Sequence, residues 1–167
     1  MEFKIYNGII DFLAYAPLHK FKGKVDNGLN GKINIDFDKN EIIDVNISIQ
    51  TEFFDTGDFF KNKEMHKYID SKNIETVSFK LKKFKSMKKL KGDTYQIALI
   101  GILKFMNIER DLELKFQIEK KEDKIFTKLK FVWSFKNYGL KPPQLLFIKV
   151  KDKLDIIVNF EFQSIRV

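Results

Sequence analysis

The feature that most restricts the fold of this chain is a regular alternation of apolar and polar residues along several long stretches. In the segment 32–37, isoleucine and phenylalanine alternate with lysine, asparagine and aspartate. Successive side chains of a β-strand point to opposite faces, so this pattern is typical of a strand with one buried face. The same pattern recurs around residues 9–16, 43–50, 77–82, 97–105, 112–118, 125–135 and 154–162. It therefore predicts about eight strands.

The links between these strands indicate how the strands are arranged. Short polar segments at 26–31, 38–41, 91–93 and 121–124 have the composition of hairpin turns. Long consecutive strands with short links favour an antiparallel meander, and closing that meander on itself removes exposed sheet edges. We expect an all-β chain with one short helix, folded as an eight-stranded antiparallel up-and-down barrel. No linker or repeat separates a second domain, so residues 1–167 are expected to form one domain.

One stretch breaks the alternation. The segment 56–69, "TGDFFKNKEMHKYI", places Met65, Tyr68 and Ile69 at helical spacing, and Asp58 precedes it as a suitable N-cap. A barrel of about eight strands is either filled by side chains or holds one small ligand. An apolar helix at its end would then be a lid over a pocket or a plug of a filled core.

Two further apolar features predict contacts outside the barrel wall. The segment 137–149 contains Pro142 and Pro143, which cannot donate to a sheet, yet it is rich in leucine and aromatic residues. It is expected to be a loop that forms a second lid or part of a dimer contact. Ile100 and Ile102 make another strand apolar on both faces, and we expect either a partner or a covering segment to bury that outer patch, a homodimer being the simpler partner.

The residues that usually carry catalysis are scarce. The two histidines, His19 and His66, lack ligand spacing, and the chain has no cysteine, no G-x-S-x-G elbow and no glycine-rich phosphate loop. The sequence predicts no enzyme, no metal site and no cofactor. No apolar run is long enough to span a membrane, and residues 1–10 do not resemble a signal peptide. We expect a cytoplasmic protein, or a periplasmic one if the chain is a mature form.

The charge leaves a second function open. The formal net charge is +8, and the segment 80–91 contains seven lysines and no acid. Such a surface could bind nucleic acid or make transient contact with an anionic membrane. Arg110 and Arg166 are the only arginines, which argues against sequence-specific DNA recognition because arginine reads guanine better than lysine does.

The order of these motifs resembles the YceI-like family. The segment 12–25 is similar to the family's opening strand, and 138–162 to its closing loop and strand. The central signature is matched by a set of six residues: Thr56, Gly57, Met65, Tyr68, Thr76 and Phe79. Other positions depart from the family pattern: Asn62, Glu64, Glu75, Met106 and Asn107.

The resemblance implies a lipocalin-like barrel that binds a polyisoprenoid, a quinone, a fatty acid or a similar long-chain lipid without catalysis. The alternation and the helix together predict the wall of the pocket, and Gly101 on the inward face would leave room for the ligand. The predicted wall residues are Ile35, Ile47, Phe60, Met65, Phe79, Leu99, Gly101, Leu114, Phe116, Leu129, Phe131, Trp133 and Phe160.

Overall fold

A computed structural model describes residues 1–165; Arg166 lies outside the described residues. The long strands are β1 (Glu2–Ala16), β2 (His19–Val25), β3 (Leu29–Asp36), β4 (Glu41–Gln50), β5 (Thr76–Lys89), β6 (Thr94–Phe105), β7 (Ile108–Lys121), β8 (Lys124–Ser134) and β11 (Lys153–Ser164). Two short strands, β9 (Gln144–Leu145) and β10 (Ile148–Lys149), and one helix, α1 (Phe59–Ile69), complete the set with 3₁₀ turns at Thr51–Phe53 and Lys136–Tyr138.

The long strands form a closed eight-stranded antiparallel barrel, as the alternation predicts. Each strand pairs with its neighbours in the order β11-β8-β7-β6-β5-β4-β3-β1, and β1 closes the ring by pairing with β11 from Phe3 to Ala14. The strands β2 and β3 share one place in the ring, because both run antiparallel to β1 along different parts of it.

The link 26–31 is therefore not a hairpin, and that prediction is wrong. β2 and β3 run in the same direction, and the residues between them interrupt one long strand rather than reverse it. Gly28 provides the interruption: its φ of +68° is costly for residues with a Cβ, and an added Cβ would meet the Phe53 ring at 2.3 Å. A turn-like composition thus marks a break within a strand here.

The predicted helix is present, and Asp58 caps its N-terminus as expected. The Asp58 side chain accepts a hydrogen bond from the Lys61 amide at 2.9 Å, which satisfies one of the unpaired donors of the first turn. At the other end Asp70 adopts the left-handed conformation with φ +52°. Met65 and Ile69, one turn apart, are buried against the barrel.

The segment 137–149 is mostly loop, as Pro142 and Pro143 require, but it also contains the β9–β10 hairpin. This hairpin packs against α1, and Leu145 within it is buried among residues of the barrel end. We call the barrel end covered by α1 and this hairpin the lid end, and the opposite end the closed end.

The barrel interior is divided along its axis. The closed end is filled by side chains such as Phe3, Ile35, Ile97 and Ile125, each with 0% exposure. A separate cluster at the lid end joins Met65 and Leu145 to Ala14, Trp133 and Tyr138. The larger of the two buried clusters includes the closed end, so much of the apolar burial that stabilises the fold lies there.

Two pairs of neighbouring strands separate along part of their length. β4 pairs with β5 only from Asn46 to Gln50, and the separation lies beside the filled closed end. β7 pairs with β8 only from Gln117 to Lys121. Residues 112–116 of β7 and 129–133 of β8 are therefore not hydrogen-bonded to each other in the ladder. We call this second separation, which lies toward the lid end, the β7–β8 opening.

The outward residues Ile100 and Ile102 are half-buried. Ion pairs from Lys82 to Asp111, at 2.8 Å, and from Lys85 to Glu113, at 2.9 Å, link the strands on either side of β6. Aliphatic stems of lysine cover apolar surface while the charged end stays in water. These pairs lie beside the predicted apolar patch, and dimerisation through it stays a prediction.

Candidate functional site

The candidate site is an apolar cavity of about 270 Å³ between the filled closed end and the lid. Its walls come from inward side chains of the long strands, and its roof from Met65, Tyr68, Ile69 and Leu145. The few polar atoms of the lining residues already have partners: the Tyr68 hydroxyl donates to the Lys141 carbonyl at 2.6 Å, and the Thr127 hydroxyl to the Gln117 carbonyl at 3.2 Å. The cavity therefore suits an apolar chain.

The structure brings most of the sequence-predicted wall residues together around this cavity. Ten of them line it: Ile47, Met65, Phe79, Leu99, Leu114, Phe116, Leu129, Phe131, Trp133 and Phe160. Their role in binding stays a prediction. Ile35, Gly101 and Phe60 do not line the cavity. Ile35 is fully buried in the closed end, because its strand carries it below the cavity floor.

Gly101 does not leave room for a ligand, contrary to prediction. A Cβ placed on it would lie 2.1 Å from Cζ of Phe79, which is two residues from Leu81, the partner of Gly101 on β5. The ring of Phe79 therefore occupies the space that the missing side chain leaves. Glycine allows close packing of an aromatic ring here, and it contributes to the cavity only by placing Phe79.

Phe60 also differs from the prediction, because it faces solvent with 65% exposure. Residues four apart lie on one face of a helix, so the Met65–Ile69 face that meets the barrel excludes Phe60, which shares its face with Glu64. Lys63 and Lys67 are exposed, whereas Lys61 is half-buried with its ammonium 5.0 Å from the Phe21 ring centre.

A hydrogen-bonded cluster fixes the start of the lid helix. The Asn62 amide oxygen accepts from the Thr56 amide at 2.7 Å, and its nitrogen donates to the Asp55 carboxylate at 2.8 Å. Asp55 also accepts from the Gly57 amide, and these bonds, the one from Asn62 first, lower its pKa below the ordinary 3.8. Asp55 is itself bridged to Lys24 of β2, so the cluster attaches the helix to the wall.

His66 anchors the middle of the helix. Its Nε2 lies 2.8 Å from the Phe54 carbonyl and its Nδ1 lies 3.0 Å from the Ser71 hydroxyl. A carbonyl can only accept, so Nε2 donates to it, and in the neutral imidazole Nδ1 then accepts from the Ser71 hydroxyl. Both nitrogens are thereby occupied, and His66 has a structural role.

The second part of the lid is bound to the first and to the barrel. The Leu146 amide donates to the Glu64 carboxylate at 2.7 Å, which joins the β9–β10 turn to α1. Asp152 accepts from the Ser134 hydroxyl at 2.7 Å and from the Lys136 amide at 2.8 Å. The bond from Ser134 is the main reason that the pKa of Asp152 is lowered from 3.8. Both parts of the lid are therefore held by half-buried carboxylates.

Aromatic rings form the wall beneath the lid. Trp133 packs edge-on against Phe105 and Phe135, with ring centres 5.0 and 4.7 Å apart, and Tyr138 lies 5.1 Å from Trp133. Burial raises the pKa of Tyr138 and of Tyr68, so both stay neutral at physiological pH.

Sequence reasoning missed several lining residues. Leu103, Phe105, Leu112 and Ile156 belong to the alternating patterns and could have been included by extending the inward face toward the lid end. Pro143, Leu145 and Val150 also line the cavity, but they lie in an irregular loop, where no periodicity indicates which side chains point inward.

The outer surface of the lid end carries exposed apolar side chains, which we call the cap: Leu18, Phe59, Phe60, Leu146 and Phe147. Phe147 is 96% exposed, and both it and Leu146 have positive φ, 66° and 51°. Bulky residues rarely adopt positive φ. Type I′ turns require it at both central positions, which are therefore usually Asn-Gly. Exposed lysines surround the cap: Lys20, Lys63, Lys67, Lys141, Lys149 and Lys151.

Within residues 1–165, no group of three or more acidic or histidine side chains is placed to hold a metal ion. In the same part of the chain, no helix has the length and hydrophobicity needed to cross a bilayer.

Comparisons with known proteins agree on the fold. A polyisoprenoid-binding domain from Saccharophagus degradans, implicated in plant cell wall breakdown, superposes with a TM-score of 0.77, 9% identity and 98% coverage of both chains. BcnA of Burkholderia cenocepacia gives 0.72 and 12%, with 92% of this chain and 95% of that chain covered. A YceI protein of Campylobacter jejuni gives 0.68 and 15%, covering 91% and 90%.

Curated protein sequences contain no match to this chain. The profile of the YceI-like domain, in contrast, matches residues 10–162, which is nearly all of the described barrel. The chain belongs to the YceI-like family.

Proposed function

We propose that this protein binds and carries a long-chain apolar lipid of the polyisoprenoid, quinone or fatty-acid type, without catalysing a reaction. The observation that carries the proposal is the apolar cavity enclosed by a two-part lid, whose polar lining atoms are already hydrogen-bonded. Burial of apolar surface would supply the binding free energy, at about 25 cal/mol per Å² before the entropy costs of association. The polyisoprenoid-binding domain that shares the fold supports this ligand class.

The volume of the cavity bears on the mode of binding. Ligand pockets commonly have volumes of about 300–1,000 Å³, and this cavity of about 270 Å³ is at the lower limit. A long chain would therefore be only partly enclosed unless the lid moves. The hydrogen bonds that hold the lid lie mostly at half-buried or exposed positions, where local opening costs little free energy.

Trp133 provides a direct test, because it is the only tryptophan and it lines the cavity. Titration with a fatty alcohol brominated along its chain should quench the Trp133 fluorescence saturably. The Met65→Ala variant, which enlarges the roof opening, should release the ligand faster than the natural chain does. A Leu90→Ala variant at the closed end is the control, since Leu90 is exposed and distant from the roof.

Two results would contradict the proposal. Fluorescence that stays constant at saturating brominated lipid would show that no chain enters the cavity. Unchanged release with a large loss of thermal stability in Met65→Ala would show that α1 is a plug of the fold rather than a lid.

We further propose that the cap makes transient contact with an anionic membrane during lipid exchange. Exposed phenylalanine and leucine at the tips of turns suit insertion among lipid head groups, and lysines around them suit anionic phosphates. This contact lies at the lid end, whereas the lysine-rich segment 80–91 extends toward the closed end. A homodimer through β6 and nonspecific nucleic-acid binding are the rival partners.

A further inference from the structure

The β7–β8 opening interrupts the barrel wall next to the cavity. The ladder ends at the pair Gln117–Lys128, and beyond it each strand keeps only its other neighbour, β6 for β7 and β11 for β8. The inward residues along the opening, including Leu114, Phe131 and Trp133, line the cavity. The edges of β7 and β8 that face the opening have backbone N–H and C=O groups without strand partners among residues 1–165, and such edges can bind another molecule. Here these edges border an apolar interior.

An outer groove of about 930 Å³ lies against the same strands. Five residues line both this groove and the cavity: Phe116, Ile118, Thr127, Leu129 and Phe160. The groove and the cavity therefore adjoin along this part of the wall. Phe116 and Leu129 border the opening, where no ladder of hydrogen bonds joins β7 to β8.

The charges of the groove are not balanced. Its three acidic residues each pair with a lysine that does not line the groove: Asp26 with Lys24, Glu119 with Lys121, and Glu161 with Lys124, at 3.1, 3.4 and 2.7 Å. The three lysines that do line it are Lys115, Lys128 and Lys130. Within residues 1–165 none of these three is in an ion pair, and all are exposed.

The lysines are placed at the opening itself. Lys128 stands opposite Gln117 in the last pair of the ladder. Because outward side chains recur every second residue, Lys115 and Lys130 are the next outward residues on the two sides of the opening. The β7–β8 opening thus has the apolar cavity on its inner side and, on its outer side, three lysines without ion-pair partners in the described part of the chain.

We propose that the opening is a second site of the lipid, through which its chain leaves the cavity while an anionic head group, a phosphate or a carboxylate, binds Lys115, Lys128 and Lys130. The proposal rests on lipid binding in the cavity and adds the charge of the head group and its position. The small volume of the cavity fits this arrangement, because part of the ligand lies outside the wall.

The test compares three brominated ligands of equal chain length, a fatty acid, an alkyl phosphate and the neutral alcohol, by quenching of Trp133 at low ionic strength. The variant is Lys115→Gln/Lys128→Gln/Lys130→Gln. We expect its affinity for the two anions to fall about tenfold, since three exposed charge interactions of modest strength are lost. The affinity for the alcohol should stay within about twofold of that of the natural chain.

Two further triple variants distinguish binding of the head group at the groove from attraction by the overall positive charge of the protein. Lys83→Gln/Lys88→Gln/Lys91→Gln removes the same charge from exposed residues of the 80–91 segment, and Lys61→Gln/Lys63→Gln/Lys67→Gln removes it from the lid. The groove variant should weaken anion binding more than either does. An equal loss in all three, a greater loss in the lid variant, or no loss in the groove variant would overturn the proposal.

Failure of the proposed function would be distinct from these results. If the natural chain does not bind the neutral alcohol, lipid binding in the cavity is wrong. If it binds the alcohol and the anions equally, the cavity binds lipid and the head-group site is wrong.

Discussion

A single side chain, Asn62, attaches the lid because its amide group can both accept and donate hydrogen bonds. Its oxygen accepts from the Thr56 amide and hydroxyl, at 2.7 and 2.6 Å, while its nitrogen donates to Asp55 at 2.8 Å. A carboxylate could accept the first two bonds but could not donate the third. Asparagine thus fits the neighbours of this position in this chain.

Replacing this residue by aspartate should therefore destabilise the protein. Asn62→Asp would place two carboxylates side by side, and we expect a loss of about 1–2 kcal/mol at neutral pH, with less loss near pH 4 as one carboxylate is protonated. Thermal unfolding at both pH values measures the difference. Asn46→Asp, at an exposed position on β4, is the control for the added charge. A destabilisation of Asn62→Asp that does not change with pH would contradict this explanation.

At the scale of elements, both parts of the lid depend on carboxylates with lowered pKa, Asp55 and Asp152. A carboxylate whose pKa is lower in the folded state stabilises that state fully above its ordinary value of 3.8. The stabilisation is lost as the pH falls through the lower folded pKa. Acid should therefore loosen the lid only below about pH 4.

This pH dependence can be measured as the release rate of a bound brominated alcohol, followed by recovery of Trp133 fluorescence. We expect a constant rate between pH 7 and about 4.5 and a rising rate below about pH 4. Far-ultraviolet circular dichroism of the same samples shows whether the barrel is still folded. Release that already accelerates between pH 7 and 5 would show that other groups hold the lid.

The sequence predicts the elements whose periodicity is uninterrupted and misses the features that depend on pairing. Alternation locates the long strands, and helical spacing with Asp58 locates α1. The continuity of β2 with β3 and the β7–β8 opening are set by which backbones meet, and side-chain patterns do not encode that directly. The ten predicted residues that line the cavity all lie on regular elements. Phe60 does not line it, and two adjacent apolar residues at 59 and 60 leave it ambiguous in the sequence which side of the helix faces the barrel.

For the whole molecule, we expect the residues of the cap that would favour membrane contact to lower the stability of the fold, because Leu146 and Phe147 combine exposed apolar side chains with positive φ. The double variant Leu146→Asn/Phe147→Gly gives the β9–β10 turn residues that favour positive φ, and we expect about 1–3 kcal/mol of added stability. It removes two exposed apolar side chains, so binding to anionic vesicles should weaken. Thermal unfolding and vesicle co-sedimentation measure the two effects.

The control for that variant is Asn40→Gly, which changes a positive-φ residue at the closed end with no change of charge. It should leave vesicle binding unchanged. Stronger or equal vesicle binding by the double variant would show that the cap does not contact the membrane. A concentration-dependent mass of the natural chain that is lost in the double variant would instead identify the cap as a dimer contact.

The division of the barrel into a filled closed end and a cavity at the lid end has an evolutionary consequence. Side chains such as Phe3, Ile35 and Ile97 are fully buried and do not line the cavity, so substitutions around the cavity can accumulate with little loss of foldability. Selection can then change the lining of the cavity without rebuilding the scaffold. Structures that share this barrel at only 9–15% identity show how far sequences diverge while the architecture persists.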